Sequence, residues 1–225
     1  MSILLIDTSG AYSTVAVAQD GDLLGFGTLK GRPAARIHEQ IRTLLPPVGI
    51  TLPDVDTIGV ITGPGSWTGL NIGVTAAKTL ALVLKKPLIP IATLDALVAP
   101  HSWTQGPVCA IMNAGRGRYY SASYASNGQG QLDLQSGHLT VSGIEALMES
   151  LLLEEGTPLV VEYGSTFGEL VSHCAGAICH KSQVRLWPDG IVAAALQSTP
   201  LHREKIMSLT PTYLQATLAE RNANL

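Results

Sequence analysis

Charge is what this sequence has least of. Only 14% of its 225 residues are Asp, Glu, Lys or Arg, against about 25% in a typical soluble domain. A chain so short of charge is expected to cover part of its surface with a partner. The same composition also suits a chain built around a large core, since 46% of the residues are hydrophobic and the mean hydropathy is +0.26.

An excess of positive charge is missing as well: the formal net charge is −3. Phosphate neutralisation supplies most of the affinity of nucleic-acid binders, so the chain is not expected to hold RNA tightly by itself. Cysteine is scarce. Cys109, Cys174 and Cys179 make an odd count, which without an export signal predicts reduced thiols. The opening MSILLIDTSG has no basic n-region and no long apolar run, so no signal peptide is expected. No apolar run approaches the ~18 residues of a membrane span. Composition therefore predicts a cytoplasmic, soluble protein.

The chain reads as alternating strands and helices. Ile3–Ile6, Thr14–Ala18 and Leu23–Leu29 are expected as three antiparallel strands, with Asp20-Gly21 as a hairpin turn. A helix is expected over Ala34–Leu45, introduced by Pro33 and closed by Pro46-Pro47. A strand at Thr57–Ile61, a long helix at Ser66–Leu84 and a strand at Leu88–Ile91 follow. After Pro100 the order begins again: strands at Val108–Met112, Arg118–Tyr124 and Leu132–Thr140, and a helix at Ser142–Leu152 opened by a Ser142–Glu145 capping box. A strand at Leu159–Val161 and a helix at Phe167–Cys174 complete the pattern. Two βββαβα lobes are expected, at residues 1–99 and 100–225, the second one smaller, with a final helix packing back on the first.

The segment TGPGSWTGLNIGV, Thr62–Val74, looks like a phosphate loop but lacks its parts. Gly63, Gly65 and Gly69 miss the dinucleotide spacing by one place, and the nearest lysine, Lys78, lies far inside the helix. The pattern fits a tight strand-to-helix turn with Ser66 as the N-cap, whose backbone amides still offer a weak anion site. Further on, Gly69, Gly73, Ala77 and Ala81 recur every four residues and line small side chains along one ridge. Two glycines inside a helix cost roughly 1 kcal/mol each relative to alanine, so something must pack closely there. Either the same lobe or a helix of another protein can fill that role.

Three other groupings are weaker. The run HCAGAICH, with His173, Cys174, Cys179 and His180, has no second ligand pair elsewhere and reads as buried thiols rather than zinc. Asp7-Thr8-Ser9 is followed by a bulky Tyr12 where a phosphate-binding hairpin needs bare backbone, and Tyr163-Gly164-Ser165 is a thin candidate for an adenine pocket. Lys30, Arg32, Arg36 and Arg42 set cations around the first helix, offset by Glu39 and joined by His38. They form either a solvated face or one turned to tRNA or an acidic partner.

Taken together, IDTS at Ile6–Ser9, His38, the GPGSWTGLNIGV segment and Ala92-Thr93-Leu94-Asp95-Ala96-Leu97 resemble the TsaB (YeaZ-like) family. NAGRGRYY, Asn113–Tyr120, is similar to that family's Asp-Ala-Arg-x-Gly-Glu-Val-Tyr, with Asn113 in place of Asp and Arg118 in place of Glu. Pro211-Thr212-Tyr213-Leu214 resembles its Pro-x-Tyr-Leu. The resemblance implies an α/β, actin-like (ASKHA, ribonuclease H-like) fold of duplicated lobes. It implies a role in making N6-threonylcarbamoyladenosine at position 37 of tRNAs reading ANN codons. The chain would then be the non-catalytic partner of the paralogue TsaD, with the ATPase TsaE joining the complex and tRNA reached only through it. The catalytic paralogue's His-x-x-x-His metal pair is missing after His101. No catalytic residue, cofactor or metal is therefore expected on this chain, and ATP and metal are expected on its partners. The expected partner interface is Arg36, His38, Gly69, Gly73, Ala77 and Ala81, which would also serve a homodimer when the chain is alone. The rival reading is a free-standing ASKHA phosphotransferase or hydrolase.

Overall fold

The computed structural model describes residues 1–31, 36–103, 107–129, 131–137, 139–150, 159–161, 179–181 and 188–214. They fall into two compact units, one of Met1–Pro100 with Val184–Pro211 and one of His101–Gln183 with Thr212–Leu225. A division at residue 99 thus leaves out the return of residues 184–211 to the first unit.

The first unit is built on a five-stranded sheet ordered β3-β2-β1-β4-β5. Its strands are β1 (Ser2–Asp7), β2 (Tyr12–Gln19), β3 (Asp22–Lys30), β4 (Thr57–Gly63) and β5 (Leu88–Ala92). The first three run antiparallel, while β4 lies parallel to β1 and β5 parallel to β4. Central β1 and β4 are buried along their whole length, which is why they read as continuous apolar runs rather than alternating ones. Asp20 and Gly21 hold positive φ values of 52° and 94°, the left-handed pair that a two-residue hairpin requires.

Helix α1 (Ile37–Leu44) buries Ile37, Gln40 and Ile41 on one face, the spacing of an amphipathic helix. Gln40 fastens it to the sheet: its amide group donates to Ser13 O at 3.2 Å and Gly27 O at 3.0 Å and accepts from Ser13 Oγ at 3.0 Å. Helix α2 (Trp67–Leu84) starts at Ser66, whose Oγ accepts from the Gly69 amide, and ends with Lys85 in the left-handed region. By length and composition α2 alone, among the described residues, is apolar enough to cross a membrane, contrary to the expectation that no stretch would be. Its buried face of Gly69, Leu70, Gly73, Val74, Ala77 and Ala81 is that of a helix closing on a sheet.

A short helix α3 (Thr93–Val98) follows β5 directly. In the second unit, β6 (Val108–Gly115), β7 (Arg118–Ser126), β8 (Leu132–Leu134), β9 (Leu139–Ser142), helix α4 (Ile144–Ser150), β10 (Leu159–Val161) and β11 (Cys179–Lys181) come next. Their order, β11-β10-β6-β7-β8 with β9 also on β7, repeats that of the first unit: β10 runs parallel to β6 and β11 parallel to β10. The expected strand Leu132–Thr140 is therefore two, β8 and β9, both antiparallel to β7. The expected capping box also shifts. Ser142 ends β9, and Gly143, at φ 84°, takes the capping position with its carbonyl accepting from Leu147 N. The predicted helix at Phe167–Cys174 lies outside the described residues.

Two further helices belong to the first unit, α5 (Pro188–Gln197) and α6 (Arg203–Ser208). Leu201 pairs with Leu88 through amide–carbonyl bonds of 2.7 and 2.9 Å. Lys78 of α2 donates from Nζ to Met207 O and Leu209 O, both at 2.9 Å. These bonds bring Ile206 into the same core as Ala77, Ala81 and Leu88.

Candidate docking face

The glycine turn before α2 is closed by the chain itself. The Ser66 amide donates to Ser9 O at 2.7 Å, and the Gly69 amide to Ser66 Oγ at 3.3 Å. A Cβ at Gly65 would stand 2.6 Å from Ser9 O. Asp7 is buried and its Oδ1 accepts from Ser9 N at 2.8 Å and Ser9 Oγ at 2.7 Å. Of the amides that a phosphate would need at this helix start, that of Ser66 thus holds the β1–β2 turn and that of Gly69 the Ser66 cap.

The small-residue ridge is filled from within. A Cβ at Gly69 would lie 1.9 Å from Thr8 O, and one at Gly73 would lie 2.2 Å from Thr8 Oγ1. Thr8 is held in that position because its hydroxyl donates to Gly69 O at 2.6 Å. Ala77 and Ala81 are fully buried in the sheet–helix core, where Ile206 of α6 also packs. Gly69, Gly73, Ala77 and Ala81 therefore cannot meet a partner's helix or a second copy. Of the two readings of the ridge, close packing within the lobe is correct.

What α2 presents outward is a different set of residues. Trp67, Thr68, Thr75, Thr79 and Val83 are exposed, and Ile72, Ala76 and Leu80 are half-buried. Trp67 is 55% and Val83 72% exposed. The helix has a single charged residue, Lys78, and that one is spent on the carbonyls of α6. An outer helix face without charge departs from the polar outer face of an ordinary surface helix. Periodicity alone pointed to the ridge because its small residues are the more regular set. The count of one charge in 18 residues was the available signal for the outer face.

Beside this face lies a groove of about 650 Å³, a size common for ligand clefts. Ile41 of α1, Leu45 at its C-cap, Ile50, Leu52, and Leu80 of α2 line it, with His38 and Arg42 at its rim. It opens at Gly49, where an added Cβ would meet nothing within 4 Å. His38 and Arg42 are one helical turn apart on the same side of α1. Arg36 is exposed at the N-cap of α1 and is not among the groove residues. Arg32 lies outside the described residues. Of the expected interface, His38 thus lies at the groove and Arg36 on the surface nearby, while the four ridge residues are interior.

A smaller cavity of about 260 Å³ lies under α6, lined by Ala81, Lys85, Lys86, His202, Arg203 and Ile206 among others. In the second unit, the β6–β7 turn of Gly115, Arg116 and Gly117 has φ values of 78°, 58° and 67°. Asn113 Oδ1 accepts from Gly115 N at 2.6 Å and so fastens this turn. Among the described residues no three His, Cys, Asp or Glu side chains converge as a metal would need. Tyr163-Gly164-Ser165, His173 and Cys174 lie outside the described residues.

Comparison with known proteins fits this architecture. The family described as "TsaD: tRNA N6-adenosine threonylcarbamoyltransferase" matches residues 33–160, a span that contains α1, the groove and α2. Over 126 residues the chain is 34% identical to the tRNA threonylcarbamoyladenosine biosynthesis protein TsaB of Bacillus subtilis, covering 55% of each chain. The chain belongs to the family described as TsaD: tRNA N6-adenosine threonylcarbamoyltransferase, and its TsaB relatives are similar to it at 31–34% identity. The chain spans about half the length of the curated relatives it matches. Its fold is that of YeaZ from Pseudomonas aeruginosa, with a TM-score of 0.77 over 95% of this chain and 99% of that one at 22% identity. The ROK hexokinase of Thermus thermophilus shares the α/β architecture at a TM-score of 0.53 and 10% identity, over 88% of this chain and 98% of the hexokinase. The fold is thus of the actin-like, ASKHA type, in keeping with the duplicated strand order.

Proposed function

We propose that this chain is the non-catalytic, activating subunit for threonylcarbamoylation of adenosine 37 in tRNAs reading ANN codons. It acts by pairing with a TsaD-type transferase through the outer faces of α1 and α2. The observation that carries this reading is the uncharged outer face of α2, where Trp67 and Val83 are exposed and Leu80 lines the groove. Leaving such a surface in water is unfavourable by roughly 25 cal/mol per Å² of apolar area, and a partner helix relieves that cost. ATP and metal are held by the partner subunits rather than by this chain. A TsaE-type ATPase joins the assembly, and tRNA reaches the chain only through it, in the cytoplasm. When the chain is alone the same outer face is left for a second copy, which the transferase displaces.

The ridge no longer supports this proposal; the outer face does. Leu80→Glu adds a charge at the edge of the groove without entering the ridge. Co-expressed with TsaD from the same source, the wild-type chain should co-elute with it and Leu80→Glu should not, while both give the same circular dichroism. Co-elution of a folded Leu80→Glu chain would remove α2 from the interface. Turnover of Mg-ATP by the isolated wild-type chain would contradict the non-catalytic reading.

A further inference from the structure

The groove between α1 and α2 is more specific than the flat face beside it. Its floor is aliphatic, from Ile41, Leu45, Leu52 and Leu80, and its lining includes His38 and the cation Arg42 but no carboxylate. A carboxylate does stand on the adjoining turn, but Asp54 is occupied: it accepts from the Thr51 amide at 2.9 Å and from the Thr51 hydroxyl. Those two bonds, the hydroxyl's first, hold its carboxyl below the usual range. Arg42 is exposed and no ion pair holds it among the described residues. Glu39, the acidic residue on α1, is not among the groove residues.

We infer that the groove accepts a bulky aliphatic or aromatic side chain from the partner's docking segment, with a carboxylate beside it that pairs with Arg42. This rests on the docking reading above and names the chemistry of the partner at that site. An apolar anchor seated in a pocket with a charge at its rim is the usual make-up of an interface hot spot. The rim charge also discriminates between occupants. In a two-fold pairing the same patch meets itself, so the groove lining of a second copy would bring no carboxylate to Arg42. A carboxylate-bearing segment meets Arg42 with the opposite sign, so a different chain outcompetes the copy.

Titration calorimetry of the full chain against the TsaD subunit from the same source, at low and at high salt, tests this. Arg42→Glu should weaken binding by about tenfold or more, and Arg42→Lys by no more than about threefold. Wild-type affinity should fall as salt rises, and the Arg42→Glu affinity should not. Leu52→Trp, which fills the groove, should also weaken binding while the melting temperature stays near wild type. Wild-type-like binding by both Arg42→Glu and Leu52→Trp, with an affinity independent of salt, would overturn the groove assignment and leave docking by α2 intact. An absence of wild-type binding at every salt would overturn the docking reading itself. A wild-type homodimer strengthened by low salt would show that the second copy is the occupant and would equally overturn the inference.

Discussion

At Gly69 a methyl group would meet the backbone oxygen of Thr8, whereas at Gly73 it would meet the Thr8 hydroxyl. The first obstacle is main chain and cannot turn aside; the second can rotate, but only by giving up its bond to Gly69 O. Alanine gains roughly 1 kcal/mol of helix propensity over glycine, and overpacking a fixed core costs about 1–3 kcal/mol. Both substitutions should therefore destabilise, Gly69→Ala more than Gly73→Ala, as denaturant midpoints would show. A second residue-scale expectation concerns Cys109. Burial pushes its thiol above the ordinary value of 9.0, opposed by the contact with Ser123. It should resist alkylation in the folded chain and react on unfolding, followed by site-resolved mass spectrometry. At this scale the sequence showed which residues repeat, but not what they face. Four small residues at helical spacing look the same whether the neighbour is Thr8 or another protein.

Elements were more legible where their signals are local. The Asp20-Gly21 turn, the Ser66 cap and the Lys85 helix end all stand where short-range chemistry puts them. The two strands on β7 were merged although Ser136-Gly137 is a turn signal, and Gly137 indeed holds a positive φ of 73° between them. Helix α6 was missed because its six residues are too few for a periodic pattern. It is held by tertiary bonds instead, and Lys78→Met removes two of them. Hydrogen exchange should then speed up at the amides of α6, while those of β1 and β4 stay protected. The start of β1 is tied to β4 by Asp56, which accepts from Ser2 N at 2.8 Å. That amide bond holds the Asp56 carboxyl below its ordinary 3.8. A depressed value means that the stabilisation is in place above the unfolded carboxylate's pKa and is lost as pH falls through the folded one. Asp56→Asn should lower the melting temperature at neutral pH and converge on wild type in strong acid.

For the whole molecule, the duplicated lobe order was readable because each half repeats the same succession of strand and helix signals. A final helix was expected to pack back on the first lobe, but the point at which the chain returns, residues 184–211, was not readable, since chain order does not mark where a late segment changes units. The candidate interface was only half legible for a related reason. Low charge announced a covered surface, yet the ridge that drew attention turned out to be covered by the protein's own β1–β2 turn. In the proposed function the outer face of α2 and the adjoining groove take that role instead. The most direct measurement is the dissociation constant between this chain and TsaD from the same source, for the wild type and for Leu80→Glu. The account predicts tight binding by the wild type and at least a roughly hundredfold loss in the variant, as a charge placed in a desolvated interface core demands. Equal affinity of the two folded proteins would contradict it.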